Sequence, residues 1–100
     1  MAERYRQSAD HTDADDRDIL ISWLALEPSH TVLDVATGGG HTAVAIASRT
    51  RRVVASDLTP EMLREAAILA RERGRGNIDF VAADAECLPF RTGSFDRVTC

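Results

Sequence analysis

The sequence contains little cysteine and no long apolar run. Its two cysteines, Cys87 and Cys100, are too few for a disulfide scaffold, and their spacing matches no metal-ligand motif. No apolar segment approaches the roughly 20 residues that cross a bilayer, which excludes a transmembrane helix. Residues 1–6 lack the apolar stretch of a signal peptide. These absences predict a cytoplasmic protein with reduced thiols.

Positive charge is also scarce. Twelve Lys and Arg residues stand against sixteen Asp and Glu, so the formal net charge is −4. Proteins that bind nucleic acid usually have the opposite balance, and we expect no nucleic-acid partner. The 100 residues allow one domain at most, and no repeat or linker divides them.

The first part of the chain predicts a flexible terminus and then a helix. Residues 1–11 are polar, and the domain is expected to occupy residues 12–100. Thr12 can cap a helix that ends before Pro28, because the residue before a proline avoids helical geometry. The apolar stripe of this helix is predicted to contain Ile19, Leu20, Trp23 and Leu24.

The rest of the chain predicts alternating strands and helices. Thr59, Pro60 and Glu61 form a strong helix start, with Thr59 as the capping residue, and Gly74 or Gly76 can end that helix. A shorter helix is predicted at 41–48. Strands are predicted at 31–36, 52–57, 78–83 and 95–100. Such alternation is typical of a doubly wound α/β fold with a parallel sheet and right-handed crossovers.

The sequence ends at residues 98–100, inside or at the end of an apparent strand. One interpretation is a natural sheet edge. The other, which we favour, is that residues 12–100 are the front part of a longer domain, truncated after strand four. An open edge beside apolar side chains then predicts self-association through strand four.

Three features follow three successive strands, where ligands of open α/β sheets bind. The glycines after Asp34 let the backbone turn and approach a ligand closely. Asp57 can accept hydrogen bonds from both hydroxyls of a ribose, and Asp84 with the Ala85 N–H can read the edge of a base that Leu58 and Leu88 cover. Each feature alone is also compatible with an ordinary turn or helix cap. Together they predict a nucleoside site.

Four segments carry a resemblance to a known family. They are Val32 to Gly40, Val53 to Leu63, Ala83 to Phe90 and Ser94-Phe95-Asp96. They resemble the first four motifs of class I S-adenosylmethionine-dependent methyltransferases, most closely the type 11 group that includes the ubiquinone/menaquinone-biosynthesis C-methyltransferases. The resemblance covers about residues 30–100.

The resemblance implies a Rossmann-like, doubly wound parallel sheet of seven strands in the order 3-2-1-4-5-7-6, of which this chain supplies 3-2-1-4. It implies S-adenosylmethionine as cofactor, S-adenosylhomocysteine as product and a small-molecule methyl acceptor. Asp34, Gly38 and Gly40 would surround the methionine part of the cofactor, in a loop that includes Ala36 and Thr37. Asp57 would hold the ribose, Leu58 would pack on adenine, and Asp84 and Ala85 would read its edge.

Two positions depart from the family pattern, and no catalytic residue or metal site is assigned. Ala36 replaces the first loop glycine. His41 either touches the cofactor carboxylate or simply lies in the first helical turn, the interpretation we favour. The segment after strand four, which contributes substrate contacts in the family, is absent from this sequence.

Two other functions remain open at this point. Residues 38–43 match the G-x-G-x-x-[GA] pattern of NAD-dependent oxidoreductases, in which Asp57 would bind the NAD ribose. Three features oppose an oxidoreductase: Asp34 lies within the preceding strand, a helix precedes the first strand, and an Asp-Ala-Glu turn follows strand three. The third possibility is a non-catalytic fragment that self-associates.

Overall fold

The computed structural model describes residues 14–84 and 93–100. Three helices and four strands lie in these ranges: α1 Ala14–Trp23, β1 Thr31–Asp34, α2 His41–Ala47, β2 Arg52–Asp57, α3 Pro60–Glu72, β3 Ile78–Ala82 and β4 Arg97–Thr99. The predicted flexible terminus and the Thr12 cap lie outside the described residues. The predicted order of elements is confirmed.

The described strands form one parallel sheet in the order β3-β2-β1-β4. β1 lies in the middle, with Thr31 opposite Arg52 of β2 and Val32 opposite Arg97 of β4. β3 extends the sheet on the far side of β2, with Val53 opposite Ile78. The Rossmann-like fold predicted from the alternation and the resemblance is therefore confirmed, and the carboxyl ends of β1, β2 and β3 meet at one edge.

The core lies between the central strands and the helices. Val32 and Val53 on the strands and Ile46 on α2 are completely buried. Asn77, just before β3, ties the end of α2 to this core. Its side-chain amide donates to three backbone carbonyls, those of Ala47, Thr50 and Arg51. The bond to Ala47 satisfies one of the carbonyls that a helix leaves without partners at its C-terminus, and the other two bonds fix the turn that leads into β2.

The first helix differs from its prediction in length and in its buried face. It ends at Trp23, well before Pro28, because Ala25 adopts a left-handed backbone with a φ of 50°. Ile21 is the buried residue, at 2% exposure, whereas Trp23 is 80% exposed. Apolar residues lie on more than one side of this helix, so spacing alone did not identify the side that packs.

Three strands and one helix cap also differ from their predictions. β1 ends at Asp34 rather than residue 36, because Ala36 has a left-handed φ of 56° that no strand can continue. β3 ends at Ala82, and β4 covers only Arg97–Thr99. Thr59 occupies the N-cap of α3 but makes no side-chain capping bond. Gly74, with a φ of 69°, follows the end of α3 as predicted.

Candidate functional site

A cleft of about 440 Å³ opens at the edge where β1, β2 and β3 end. Its walls come from the loop after β1, the end of β2 with the start of α3, and the residues after β3. The lining residues are Ala36, Gly38, Asp57, Leu58, Thr59, Met62, Ala83 and Asp84. All three sequence features that predicted a nucleoside site therefore contribute to one cleft.

Asp57, the last residue of β2, anchors two sides of this cleft. Its Oδ2 accepts a hydrogen bond from the Gly38 N–H at 2.9 Å, and its Oδ1 accepts one from the Thr59 N–H at 2.9 Å. Asp57 itself accepts the Thr59 N–H, whereas Thr59, the predicted capping residue, makes no side-chain capping bond. A carboxylate has about four acceptor positions, so each oxygen can still accept from a ligand hydroxyl.

The loop between β1 and α2 turns through three left-handed residues. Ala36, Gly38 and Gly40 have φ values of 56°, 57° and 87°. The Thr37 N–H donates to the Ser56 carbonyl at 2.7 Å, which fixes the loop to β2. At Gly40 an added Cβ would lie 2.7 Å from the Cβ of Ala66 on α3. This loop is held by packing as well as by hydrogen bonds.

Asp34 lies beneath the loop instead of lining the cleft. It is 3% exposed, and its Oδ2 accepts a hydrogen bond from the Thr37 hydroxyl at 2.7 Å. Burial raises the pKa of Asp34 to about 6, the Thr37 hydrogen bond partly opposes this rise, and the nearby charge of Asp57 adds to it. A carboxyl group therefore supports the glycine loop from below.

The stability of the fold should depend on pH through Asp34. Its folded-state pKa is raised from 3.8 to about 6, so the folded state holds this proton more tightly than the unfolded chain. The resulting stabilisation is complete below pH 3.8 and is lost as the pH rises through 6, a loss of about 3 kcal/mol. As the pH rises over this range, we expect the free energy of unfolding of wild type to fall relative to that of Asp34→Asn.

Urea melts from pH 4 to 8 would measure that difference, and because other carboxyls titrate in both proteins, their effects cancel. Thr37→Val is a useful companion, since removing the hydroxyl should raise the pKa of Asp34 further and move the transition to higher pH. If the free energies of unfolding of wild type and Asp34→Asn depend on pH in the same way, the pKa of Asp34 is not raised in the folded state.

The left-handed backbone at Ala36 predicts a stabilising substitution. An L-residue in this region is strained by about 1–2 kcal/mol, and glycine relieves the strain at some cost in chain entropy. Ala36→Gly should therefore raise the free energy of unfolding by about 0.5–1 kcal/mol. Ala25→Gly is the matched control, because Ala25 has a similar φ of 50° outside the cleft. Urea melts in which neither variant gains stability would contradict the strained backbone.

The predicted site residues fall into three groups. Those that line the cleft are Ala36, Gly38, Asp57, Leu58 and Asp84. Those buried in or beneath the loop are Asp34, Thr37 and Gly40. Ala85 and Leu88 lie outside the described residues.

Two further residues, His41 and Met62, lie near the residues predicted for the site. His41 is the first residue of α2, in the first helical turn as the favoured interpretation expected, and it lines a different cavity. Met62 also lines the cleft, although it was not among the predicted site residues. Its position one turn after Leu58, at a helix start beside Asp57, is the signal that could have identified it.

Neither a metal-binding cluster nor a membrane-spanning helix is found in the part of the chain that the structure describes. No group of three or more His, Cys, Asp or Glu side chains there could hold a metal ion. Within residues 14–84 and 93–100, no helix has the length and apolar character needed to cross a bilayer.

Comparison with known proteins relates this geometry to a family. Residues 32–100 match the family model described as a methyltransferase domain. The chain is 36% identical over 99 residues to the uncharacterized methyltransferase YcgJ of Bacillus subtilis. The aligned residues make up 99% of this chain and 39% of that protein. The crystal structure of YcgJ matches with a TM-score of 0.83 at 35% identity, over 88% of this chain and 38% of that one.

Two further similarities extend the comparison. The ubiquinone/menaquinone biosynthesis C-methyltransferase UbiE of Citrifermentans bemidjiense is 39% identical over 87 residues, which are 83% of this chain and 37% of that protein. Phosphoethanolamine N-methyltransferase 1 of Haemonchus contortus, solved with phosphoethanolamine and S-adenosylhomocysteine, matches with a TM-score of 0.80 at 26% identity, over 92% of this chain and 19% of that one. The chain thus spans less than half the length of these relatives. A family model matches residues 32–100, and the fold that forms the cleft is shared with a solved methyltransferase. This chain therefore belongs to the S-adenosylmethionine-dependent methyltransferase domain family.

Proposed function

We propose that this chain binds S-adenosylmethionine in the cleft and serves an enzyme that methylates a small molecule. Family membership supports the cofactor, and a structural neighbour was solved with S-adenosylhomocysteine. The observation that carries the proposal is the placement of Asp57. Its carboxylate lies in the cleft wall, bonded to the glycine-loop N–H of Gly38, with acceptor positions left for a ribose diol.

The other walls of the cleft suit an adenine ring. Leu58 is 69% exposed and lines the cleft together with Met62, so an apolar surface is available beside Asp57. Asp84 lines the same cleft just after β3, where its carboxylate would accept from an exocyclic amine. Ala85, which follows it, remains the proposed donor to a ring nitrogen.

The electrostatics of the loop suit a cationic ligand. Asp34 beneath the loop and Asp57 in the cleft wall are close enough for the charge of Asp57 to raise the pKa of Asp34. A positively charged ligand near them would stabilise both ionised carboxylates. The bound cofactor supplies a methyl group activated by a sulfonium sulfur. The residues of this chain bind and orient it, and orientation is a large part of the rate of a displacement reaction.

The acceptor is proposed to be a small molecule with no nucleic acid involved. The net charge of −4 lacks the basic excess that phosphodiester backbones require. UbiE and the phosphoethanolamine enzyme are named for small acceptors, which supports the same class here. A cytoplasmic location is proposed from the low cysteine content.

Isothermal titration with S-adenosylhomocysteine and NAD in parallel tests the cofactor. We expect saturable binding of S-adenosylhomocysteine at one site and no binding of NAD. Both ligands contain an adenosine, so discrimination between them depends on the rest of the cleft. Binding of NAD in preference to S-adenosylhomocysteine, in a chain shown by circular dichroism to be folded, would overturn the proposal in favour of the oxidoreductase.

Self-association through β4 stays a prediction. Val98 on this strand is 56% exposed, and among the described strands only β1 pairs with it. Apolar side chains beside free backbone groups favour pairing with a second chain. Light scattering over a dilution series would detect such a dimer, and a monomer at the highest concentration would contradict it.

A further inference from the structure

A second cavity, of about 260 Å³, lies among the three helices and shares no lining residue with the cofactor cleft. One side of α2 lines it, together with residues of α1 and residues at and after the end of α3. Four arginines line its walls, and they come from three separate parts of the chain: Arg17, Arg49, Arg73 and Arg75. This concentration of positive charge contrasts with the net charge of −4.

These four arginines have no carboxylate partner among the described residues. Arg52 and Arg64, elsewhere on the surface, lie within 4.0 Å of Asp79 and Glu61. None of the four guanidinium groups in the cavity is within 4.0 Å of a described carboxylate, and Asp18 in the same wall makes no such pair. The cavity therefore gathers four cations, none of them in an ion pair with a described residue, and a single carboxylate, that of Asp18.

Arg75 is held in place by the backbone. Its Nε donates to the Val44 carbonyl at 3.2 Å, and its Nη1 donates to the Arg73 carbonyl at 2.9 Å. A guanidinium has five N–H donors, so several remain for a ligand. A fixed planar donor loses less entropy on binding an anion than a free side chain does.

Helix dipoles explain only part of this cluster. Arg49 and Arg73 follow the C-terminal ends of α2 and α3, where a cation offsets the partial negative charge. Arg17 lies in the first half of α1, where a cation is unfavourable. The helix dipole therefore does not explain why Arg17 lines the same cavity, whereas an anion bound there would attract its positive charge.

We propose that this cavity binds a phosphate dianion, either free phosphate or the terminal group of a small phosphomonoester. Arginine binds phosphate oxygens with paired, charge-assisted hydrogen bonds. A volume of about 260 Å³ bounded by three helices accommodates such a group and excludes a polymer from its interior. The site is independent of the proposed cofactor cleft.

Calorimetric titration of the chain with inorganic phosphate, in chloride buffer at constant ionic strength, tests this site. We expect saturable binding with one phosphate per chain. The double variant Arg49→Gln/Arg75→Gln should weaken the affinity at least tenfold. The control Arg51→Gln/Arg64→Gln removes the same charge from exposed residues outside the cavity and should leave the affinity unchanged. A parallel titration with glycerol 1-phosphate distinguishes free phosphate from a phosphomonoester.

Other results would overturn the proposal. These are the absence of phosphate binding by the folded chain, equal losses in the two double variants, or binding of a single-stranded RNA oligomer without binding of phosphate. If Arg49→Gln/Arg75→Gln fails to fold, Arg17→Gln/Arg49→Gln replaces it, since neither of those side chains donates to the backbone of another helix. Titration of the same variants with S-adenosylhomocysteine should be unaffected, which separates this site from the cofactor cleft.

Discussion

Gly40→Ala should be the most destabilising single substitution tested in the loop. The new Cβ would lie 2.7 Å from the Cβ and 3.0 Å from the Cα of Ala66, and the residue would have to keep a φ of 87°. Overlap in a packed contact costs about 1–3 kcal/mol and a left-handed L-residue about 1–2 kcal/mol, so we expect a loss of about 3 kcal/mol or more. Against a total stability of roughly 5–15 kcal/mol, such a loss is large. Urea unfolding measures it directly.

Gly38→Ala is the matched control for this prediction. Gly38 has a φ of 57°, and an added Cβ there meets nothing within 4 Å. Only backbone strain should act, with a loss of about 1 kcal/mol. In Gly40→Ala/Ala66→Gly the contact with the Ala66 Cβ disappears, and we expect part of the stability to return. Similar losses for Gly40→Ala and Gly38→Ala would show that α2 and α3 are not in tight contact at this point.

Asp57→Ala should weaken the binding of S-adenosylhomocysteine about ten- to a hundredfold. Hydrogen bonds between a carboxylate and the ribose hydroxyls are charge-assisted and are worth roughly 1.5–3 kcal/mol. The substitution also removes the acceptor of the Gly38 N–H, so the glycine loop loses its link to the end of β2. Both effects act in the same direction on affinity. Isothermal titration of the folded variant provides the measurement.

Asp79→Ala is the control for Asp57→Ala. Asp79 is a carboxylate near the start of the neighbouring strand β3, where it pairs with Arg52 at the opposite end of β2 from Asp57. It lines no part of the cleft, so its removal should leave cofactor affinity unchanged. Unfolding curves for both variants separate a loss of binding from a loss of fold. If Asp57→Ala binds as tightly as Asp79→Ala, Asp57 is not part of the binding site.

The sequence predicted the parallel α/β architecture well because the alternation of strands and helices depends on local patterns, whereas the strand order came from the family resemblance. Apolar runs bounded by glycine and proline marked the elements, and parallel crossovers then determined which strand ends lie together. Asp57 and Asp84 were placed in one cleft by this reasoning alone. The resemblance added the cofactor, which spacing and composition left open between S-adenosylmethionine and NAD.

The features that were missed depend on contacts distant in sequence. The need for glycine at position 40 is set by Ala66 on another helix, and the pKa of Asp34 is set by burial beneath a loop. Met62 looked like any apolar residue of a helix until its position beside Leu58 was known. The end of α1 was misplaced because Ala25, a residue with high helix propensity, adopts a left-handed backbone.

The pairing of β4 with β1 has a consequence for the order in which the chain folds. Thr31 and Asp96 are joined by a hydrogen bond across 65 positions of sequence, whereas β1 reaches β2 through one short crossover. Loop closure over the longer distance is less favourable by about 1 kcal/mol. The first three strands therefore have the entropic advantage in assembling, and β4 is expected to join last. The described cleft residues all precede β4, so the walls of the proposed cofactor cleft can assemble before β4 is added to the sheet.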